Sequence, residues 1–344
     1  WNLLLHLVQN RNLVFHLSIY RKIEKEVLEI ATYVHIDDTQ LKVYSIHIGE
    51  LIVRCVTEIE AISKRLYEIL GGNMNPIDDD GRTRSLYFDT DCLALIENRW
   101  KLSTKEIVIE NEYFYIENEE NKKLIPLKKA HIRSGASWNK AYQAIKHNRF
   151  YNLNKATIKN LLDALGALYI LNVYYKDEVK KIGRYVDEID DHYGSEIFLV
   201  HIYQATQMDV KSKMDDTCII DFNEQEYEKS IVLIKYDDES FSKIHNAYIN
   251  DCKATRERIL GRKEVQVFLE ENPDINTDSI KAICQQMDKN SLISECQCLN
   301  ALGQIERMNE KRAELVLNKN TSIYPECIAN EGDNPEDILE VNIS

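Results

Sequence analysis

Through most of the first 176 positions, hydrophobic residues recur at three- and four-residue steps, the spacing of a buried helical face. Ile23, Val27 and Ile30 share one side of a segment from Tyr20 to Ala31, with Lys and Glu between them. A longer pattern from Thr39 to Leu70 carries Ile48, Leu51, Ile52, Cys55, Ile59, Ile62, Leu66 and Ile69. Gly71 and Gly72 end it, as glycines commonly end helices. Asn73 to Arg84 is polar and reads as a loop. Ser137 is placed to cap a helix reaching about Arg149, and Asn154 to cap the next. In that next helix Ile158, Leu161, Leu162, Leu165, Leu168, Tyr169 and Leu171 cover nearly the whole circumference. A helix apolar all round belongs at the centre of a bundle. Its apolar run, Leu161 to Tyr175, is broken by Asp163 and Asn172 and is shorter than the roughly 20 residues of a membrane span.

The period changes between Glu106 and Leu127, where Ile107–Ile109 and Tyr113–Ile116 flank Glu110–Glu112. These β-branched and aromatic runs predict a hairpin closed before Pro126. Beyond Asp177, Glu196–Ala205, Thr217–Phe222 and Ile231–Tyr236 are rich in Ile, Val and Tyr and predict three strands. Ser240–Glu271, Thr277–Met287 and Leu292–Val316 read as charged helices. The predicted fold is mainly α. An antiparallel helical bundle spans residues 1–180, with a small β element, the hairpin, inserted near 106–127. An α+β region follows over 181–329, and 330–344 is an acidic, poorly ordered tail.

Composition adds little that is unusual: 344 residues, 29% charged, with only 11 Gly and 5 Pro, suit long helices and two domains. The eight cysteines are scattered without a signal-peptide pattern, so reduced thiols in a cytoplasmic protein are expected. Cys296 and Cys298 lack the spacing of a zinc or redox pair. No cofactor or metal is expected, and no glycine-rich phosphate loop, G-x-S-x-G or H-E-x-x-H motif is present. Asp187, Glu188, Asp190, Asp191 and His192 could hold a divalent cation, or form a solvated charged helix end.

Charge changes the picture more. The chain carries a net −14, which repels phosphates and anionic membranes, yet Asn121–Leu162 contains no Asp or Glu. Lys122, Lys123, Lys128, Lys129, Arg133, Lys140, Lys146, Arg149, Lys155 and Lys159 give that window a formal +10. A positive face on a negative molecule is the footprint of a phosphate-binding surface, unless the cations offset acids on neighbouring helices. Inside the window, Trp138, Tyr142 and Lys146 fall at i, i+4 and i+8, one helical stripe. The two aromatics are expected to pack inside. Lys146, His147 and Arg149 meet at the helix end, two fixed charges beside one titratable imidazole. A helix C-terminus also favours cations through its dipole.

The string Trp138-x-x-x-Tyr142-x-x-x-Lys146-His147-x-Arg149, followed by the apolar helix Leu161–Leu171, resembles the HEPN superfamily of helical bundles. It is similar to members whose motif helix reads Tyr-Asn-x-x-Lys-His-x-Arg. The upstream helix Val43–Leu70, with Glu58 and Glu60 in a Glu-Ile-Glu step, fits the same pattern. The resemblance covers roughly residues 20–176. It implies a HEPN-like bundle acting on RNA, as a metal-independent endoribonuclease or a degenerate RNA binder in antiphage defence, abortive infection or stress. It also implies a homodimer, because active members bring an Arg and a His together across two subunits. In this chain His147 precedes Arg149, while Arg followed by His at the family spacing occurs at Arg11 and His16. The catalytic candidates are therefore Lys146, His147 and Arg149, with Arg11 and His16 as the alternative. Lys122, Lys123, Lys128, Lys129, Arg133, Lys140, Lys155 and Lys159 are the RNA-binding candidates. The competing reading is a non-enzymatic regulatory scaffold that docks a protein partner.

Overall fold

The structure, a computed structural model, describes residues 2–182, 189–204, 210–212, 218–220, 223–236, 254, 257–275, 283, 286–287 and 313–320. Side chains are described for 15–182, 189–204, 223–235 and the later described positions. The architecture is mainly helical with strands in small sheets. The first part runs α1 (Asn2–Tyr33), β1 (Ile36–Asp37), α2 (Ile46–Ile69), α3 (Ala94–Trp100), β2 (Ile107–Ile109), β3 (Phe114–Tyr115), α4 (Glu119–Lys122), β4 (Lys123–Leu124), α5 (Ser137–His147), α6 (Arg149–Asn152) and α7 (Ile158–Lys176). Helix α7 lies at the centre, against α1, α2 and α5, with Leu161, Leu165 and Leu168 buried.

Cross-contacts fix the helix directions. Val43 and Tyr44, just before α2, bond Ile158 and bridge Thr157 at the start of α7, so α2 and α7 run parallel. Helix α1 runs against both: His16 meets Glu58 and Tyr175, Glu26 meets Arg54, and Tyr20 meets Tyr169. Helix α5 is also antiparallel to α7, with Ser137 bonded to Asp163 while Ile145 lies near Gly49 at the head of α2. In chain order α1, α2, α5 and α7 thus alternate in direction, and the parallel pair, α2 and α7, is the second and fourth of that series.

Local sequence explains where these helices start. Ser45, extended, accepts from the Ile48 amide at 3.1 Å and caps α2, so residues 39–45 are a 3-10 turn and linker rather than helix. Thr157, not Asn154, caps α7 by accepting from the Asn160 amide at 3.2 Å. Asn154 sits in a preceding 3-10 turn, Leu153–Lys155. Ser137 is the first helical residue of α5, capped by Ala136 without a side-chain bond, and its hydroxyl goes to Asp163 instead.

The predicted hairpin is not one. β2 pairs antiparallel with β4, Ile107 opposite Leu124, whereas β3 pairs parallel with β1, Phe114 opposite Ile36. Ile107 lies on α7 at Gly166, where an added Cβ would come within 2.7 Å of the Ile107 Cδ1.

The later elements are β5 (Lys180–Ile182), β6 (Phe198–Val200), β7 (Ile202–Gln204), β8 (Val210–Ser212), β9 (Cys218–Ile220), α8 (Glu224–Lys229), β10 (Val232–Tyr236), α9 (Lys263–Glu271) and β11 (Ala313–Leu317). The run 196–205 divides at His201 into two strands of different sheets. β6 joins β2 of the bundle, and β7 joins a sheet ordered β5-β11-β10-β7. Residues 313–316, expected as helix, form strand β11, antiparallel to β10 with Val232 opposite Leu317. Among the described residues, the predicted helix Ser240–Glu271 is helical at 257–260 and in α9, on either side of Gly261. Most of 277–312 and the tail 330–344 lie outside the described residues. One apolar core includes Tyr20, Leu165, Phe198, Val232 and Leu315, so packing is continuous across position 180.

A buried clasp joins the two parts. Lys105, fully buried, donates to the Glu228 carbonyl at 2.8 Å and to the Asn320 Oδ1 at 2.9 Å. The Tyr174 hydroxyl donates to the Asn318 carbonyl, and Lys319 reaches Asp177 at 2.8 Å. Burial holds the Lys105 amine down at about 7, against the opposing pull of Glu228 and Glu97.

Candidate nucleic-acid interface

Helix α5 is amphipathic, and the two aromatics of its stripe face inward as expected. Trp138 is buried and donates its indole N–H to the Pro126 carbonyl at 2.8 Å; Tyr142 is buried one turn later. Lys146 leaves the same stripe at the surface, its Nζ 5.3 Å from the Tyr142 ring centre, an ordinary cation–π distance. The helix stops at His147, earlier than predicted, because Asn148 leaves helical geometry at φ −155° and ψ 84°. Asn148 also opens the single turn α6, accepting from the Tyr151 amide at 3.4 Å.

That break produces an exposed knuckle. Lys146, His147 and Arg149 are brought together and face solvent. Phe150 and Tyr151 follow at 86% and 77% exposure, their rings edge to face at 5.1 Å. Lys155 is exposed just beyond. Arg149 approaches Glu50 at 3.7 Å, but both groups are about half exposed and such a pair contributes little. No carboxylate bonds Lys146 or Lys155 among the described residues. The knuckle is seated by Gly49, whose missing side chain lets Ala156 approach the head of α2; a Cβ there would sit 3.3 Å from the Ala156 Cβ.

The other cations of the window divide into two sets. Lys122 pairs with Glu110 at 2.7 Å, Lys123 with Glu119 at 2.6 Å, and Lys159 donates to the Asn121 amide oxygen at 2.9 Å. Those three are engaged within the fold. Lys128, Lys129, Arg133 and Lys140 are exposed and have no carboxylate partner among the described residues. Lys140 and His147 are seven residues apart on α5, hence on one outer stripe. Unpaired cations therefore occur in the loop before α5, at Lys128, Lys129 and Arg133, and on the exposed side of α5 itself, at Lys140 and Lys146.

The alternative pair lies elsewhere. Arg11 and His16 are both on α1, and the Arg11 side chain is outside the described residues. The His16 Nδ1 lies 3.0 Å from the Glu58 Oε2, with 15% and 19% of these side chains exposed. The Tyr175 ring meets His16 edge-on at 5.7 Å. A carboxylate on Nδ1 orients an imidazole and leaves Nε2 as its other proton-exchanging atom. His147 has no such orienting partner among the described residues.

In the acidic segment, Asp187 and Glu188 lie outside the described residues, and 190–193 is a turn in which Asp190 accepts from the His192 amide. No grouping of three metal-ligating side chains occurs among the described residues. Cys55 and Cys92 are buried free thiols pushed up to about 12 by burial, which makes them unreactive. No described helix is long and apolar enough to cross a membrane.

The pattern of the sequence did not single out Phe150, Tyr151 or Lys105, and it named Glu58 without its partner His16. Aromatics beside an apolar helix read as core, and nothing in a one-dimensional spacing links Glu58 to His16. The chain matches no family model, no curated protein and no solved structure. The HEPN resemblance accordingly stands on the motif residues alone.

Proposed function

We propose that this protein binds single-stranded RNA on the outer side of α5, with the knuckle Lys146–Tyr151 as the centre of the site. The observation that carries the reading is the pairing of unpaired cations with two outward-facing aromatic rings. Single strands are held that way: cations track phosphates and rings stack on unpaired bases. Phe150 and Tyr151 offer sequence-tolerant stacking, Arg149 a planar phosphate fork, and Lys146 a point charge. A HEPN-like role in antiphage defence or stress, in the cytoplasm, follows from the motif resemblance.

Cleavage without metal is the enzymatic form of this proposal. His147 would take the 2′-hydroxyl proton, and Arg149 and Lys146 would steady charge on the phosphate. One knuckle supplies one imidazole, so a second copy across a two-fold interface would bring the acid. The scaffold alternative gains from Lys122 and Lys123, whose partners Glu110 and Glu119 hold them within the fold.

The test is anisotropy with a labelled single-stranded RNA of about 12 nucleotides. Phe150→Ala or Tyr151→Ala should each weaken binding by about tenfold, the usual order for one base stack, without changing the melting temperature. Arg149→Ala should weaken binding and flatten the log-affinity against log-salt plot by about 0.7. Wild-type affinity in both aromatic variants would overturn the site. Incubation with cellular RNA in EDTA then separates binder from nuclease. Cleavage lost in His147→Ala assigns the base there; cleavage lost in His16→Ala instead assigns it to the α1 pair; no EDTA-resistant cleavage leaves binding alone.

A further inference from the structure

The β1–β3 ribbon, remote in character from the basic knuckle, carries a second exposed aromatic surface of opposite charge. Its two strands are in register, Ile36 opposite Phe114 and Asp37 opposite Tyr115. Ile36 is buried and Phe114 packs on the core, so alternation turns Asp37 and Tyr115 outward. His35 lies flat on the Tyr115 ring, centroids 4.2 Å apart and planes 21° apart. Tyr115 is 52% exposed, Tyr113 is exposed two residues earlier, and Tyr33 at the end of α1 is 82% exposed.

The flanking groups are acidic. The Thr39 hydroxyl and amide hold the Asp37 carboxyl below the usual carboxylate range. The Asn121 amide does the same for Asp38, helped by the amides of Asn118 and Glu117. Glu112 stands beside Tyr113 and raises its phenol through its charge and a side-chain hydrogen bond. Glu112 and Glu117 are exposed. No Lys or Arg forms an ion pair with Asp37, Asp38, Glu112 or Glu117 among the described residues, and Lys159 stops at the Asn121 amide.

We propose that this face docks an arginine-bearing segment of a partner protein. A guanidinium fits both features at once: its plane stacks on an aromatic face, and its edge donates to carboxylates in a fork. Phosphates and anionic lipid are repelled by the same acids. The outer side of α5 and this ribbon therefore select partners of opposite charge, and occupancy of one does not require the other.

Titration calorimetry on the full chain tests this with a seven-residue peptide carrying two arginines, against the same peptide carrying citrulline. The arginine peptide should bind, and the citrulline peptide, with the same shape and no charge, should bind at least about tenfold more weakly. Tyr115→Ala combined with Glu112→Gln should lose about tenfold in affinity, as should His35→Ala, which removes the other ring of the stack. Both alter exposed groups, so melting curves should match wild type; Phe150→Ala, on the RNA site, should leave peptide binding intact. Equal binding of the citrulline peptide, no binding of the arginine peptide at millimolar concentration, or wild-type affinity in the His35 variant would each overturn the proposal. None of these results depends on whether RNA binds at α5.

Discussion

Leu165→Ala is expected to lower the unfolding free energy by about 2–5 kcal/mol, measured as a shifted urea midpoint at unchanged slope. Leu165 is completely buried in α7, the helix that α1, α2 and α5 all pack against. Removing its branched end deletes transfer energy and leaves a cavity whose walls are rigid helices, so little of the loss is recovered by collapse. Gly166, the next residue, meets Ile107 from β2, which leaves the neighbouring side no slack either. Leu165→Met, which conserves volume, should cost less than about 1.5 kcal/mol. A loss under about 1 kcal/mol for the Ala variant would mean that α7 is not enclosed as described.

Helix α7 was the most legible element because its cause is local. Apolar residues on every side have only one environment, the interior, and no partner need be known to say so. β2, β3, β6, β7, β9 and β10 were legible as strands but not in their pairing, and β11 was read as helix. β2 takes β6, some ninety residues on, and β3 takes β1, and a period of two specifies a face without naming a neighbour. The caps failed by competition between adjacent candidates: Asn154 and Thr157 both suit the role, and the extended backbone falls at Thr157. The charge window was legible as a density. Which cations stay free was not, because Glu110 and Glu119, just before the window, are folded back onto Lys122 and Lys123. At the knuckle, Lys146, His147 and Arg149 were found by motif, whereas Phe150 and Tyr151 looked like any aromatic next to a core helix. Only the break at Asn148 turns them outward.

Lys105 had no signal at all, since lysines are almost never fully buried and nothing around it marks an exception. Its burial carries the other large expected effect. The unfolded chain holds a lysine at an ordinary value of about 10.4, whereas the folded protein holds Lys105 at about 7. Between those values the unfolded state binds the extra proton, so this group makes stability rise with pH over that window and become flat below it. The two acceptors facing the amine, the Glu228 carbonyl and the Asn320 amide oxygen, match the two N–H bonds of a neutral amine. The nearby carboxylates are turned to other partners, Glu228 to Lys101 at 3.3 Å and Glu97 to Ser103. Other buried groups pull the opposite way. Cys55, Cys92, Tyr20, Tyr169 and Tyr174 are all raised by burial, so their stabilising share is lost as pH climbs through the alkaline range. The difference between wild type and Lys105→Met cancels those common terms. From pH 7 to pH 9, the unfolding free energy of wild type minus that of Lys105→Met should grow by roughly 2 kcal/mol, on a limiting slope of about 1.36 kcal/mol per pH unit. The variant should come closest to wild type in stability at or below pH 7, where it escapes burying a charge. Parallel curves for the two proteins across that range would show that Lys105 is solvated and that residues 318–320 do not close over it.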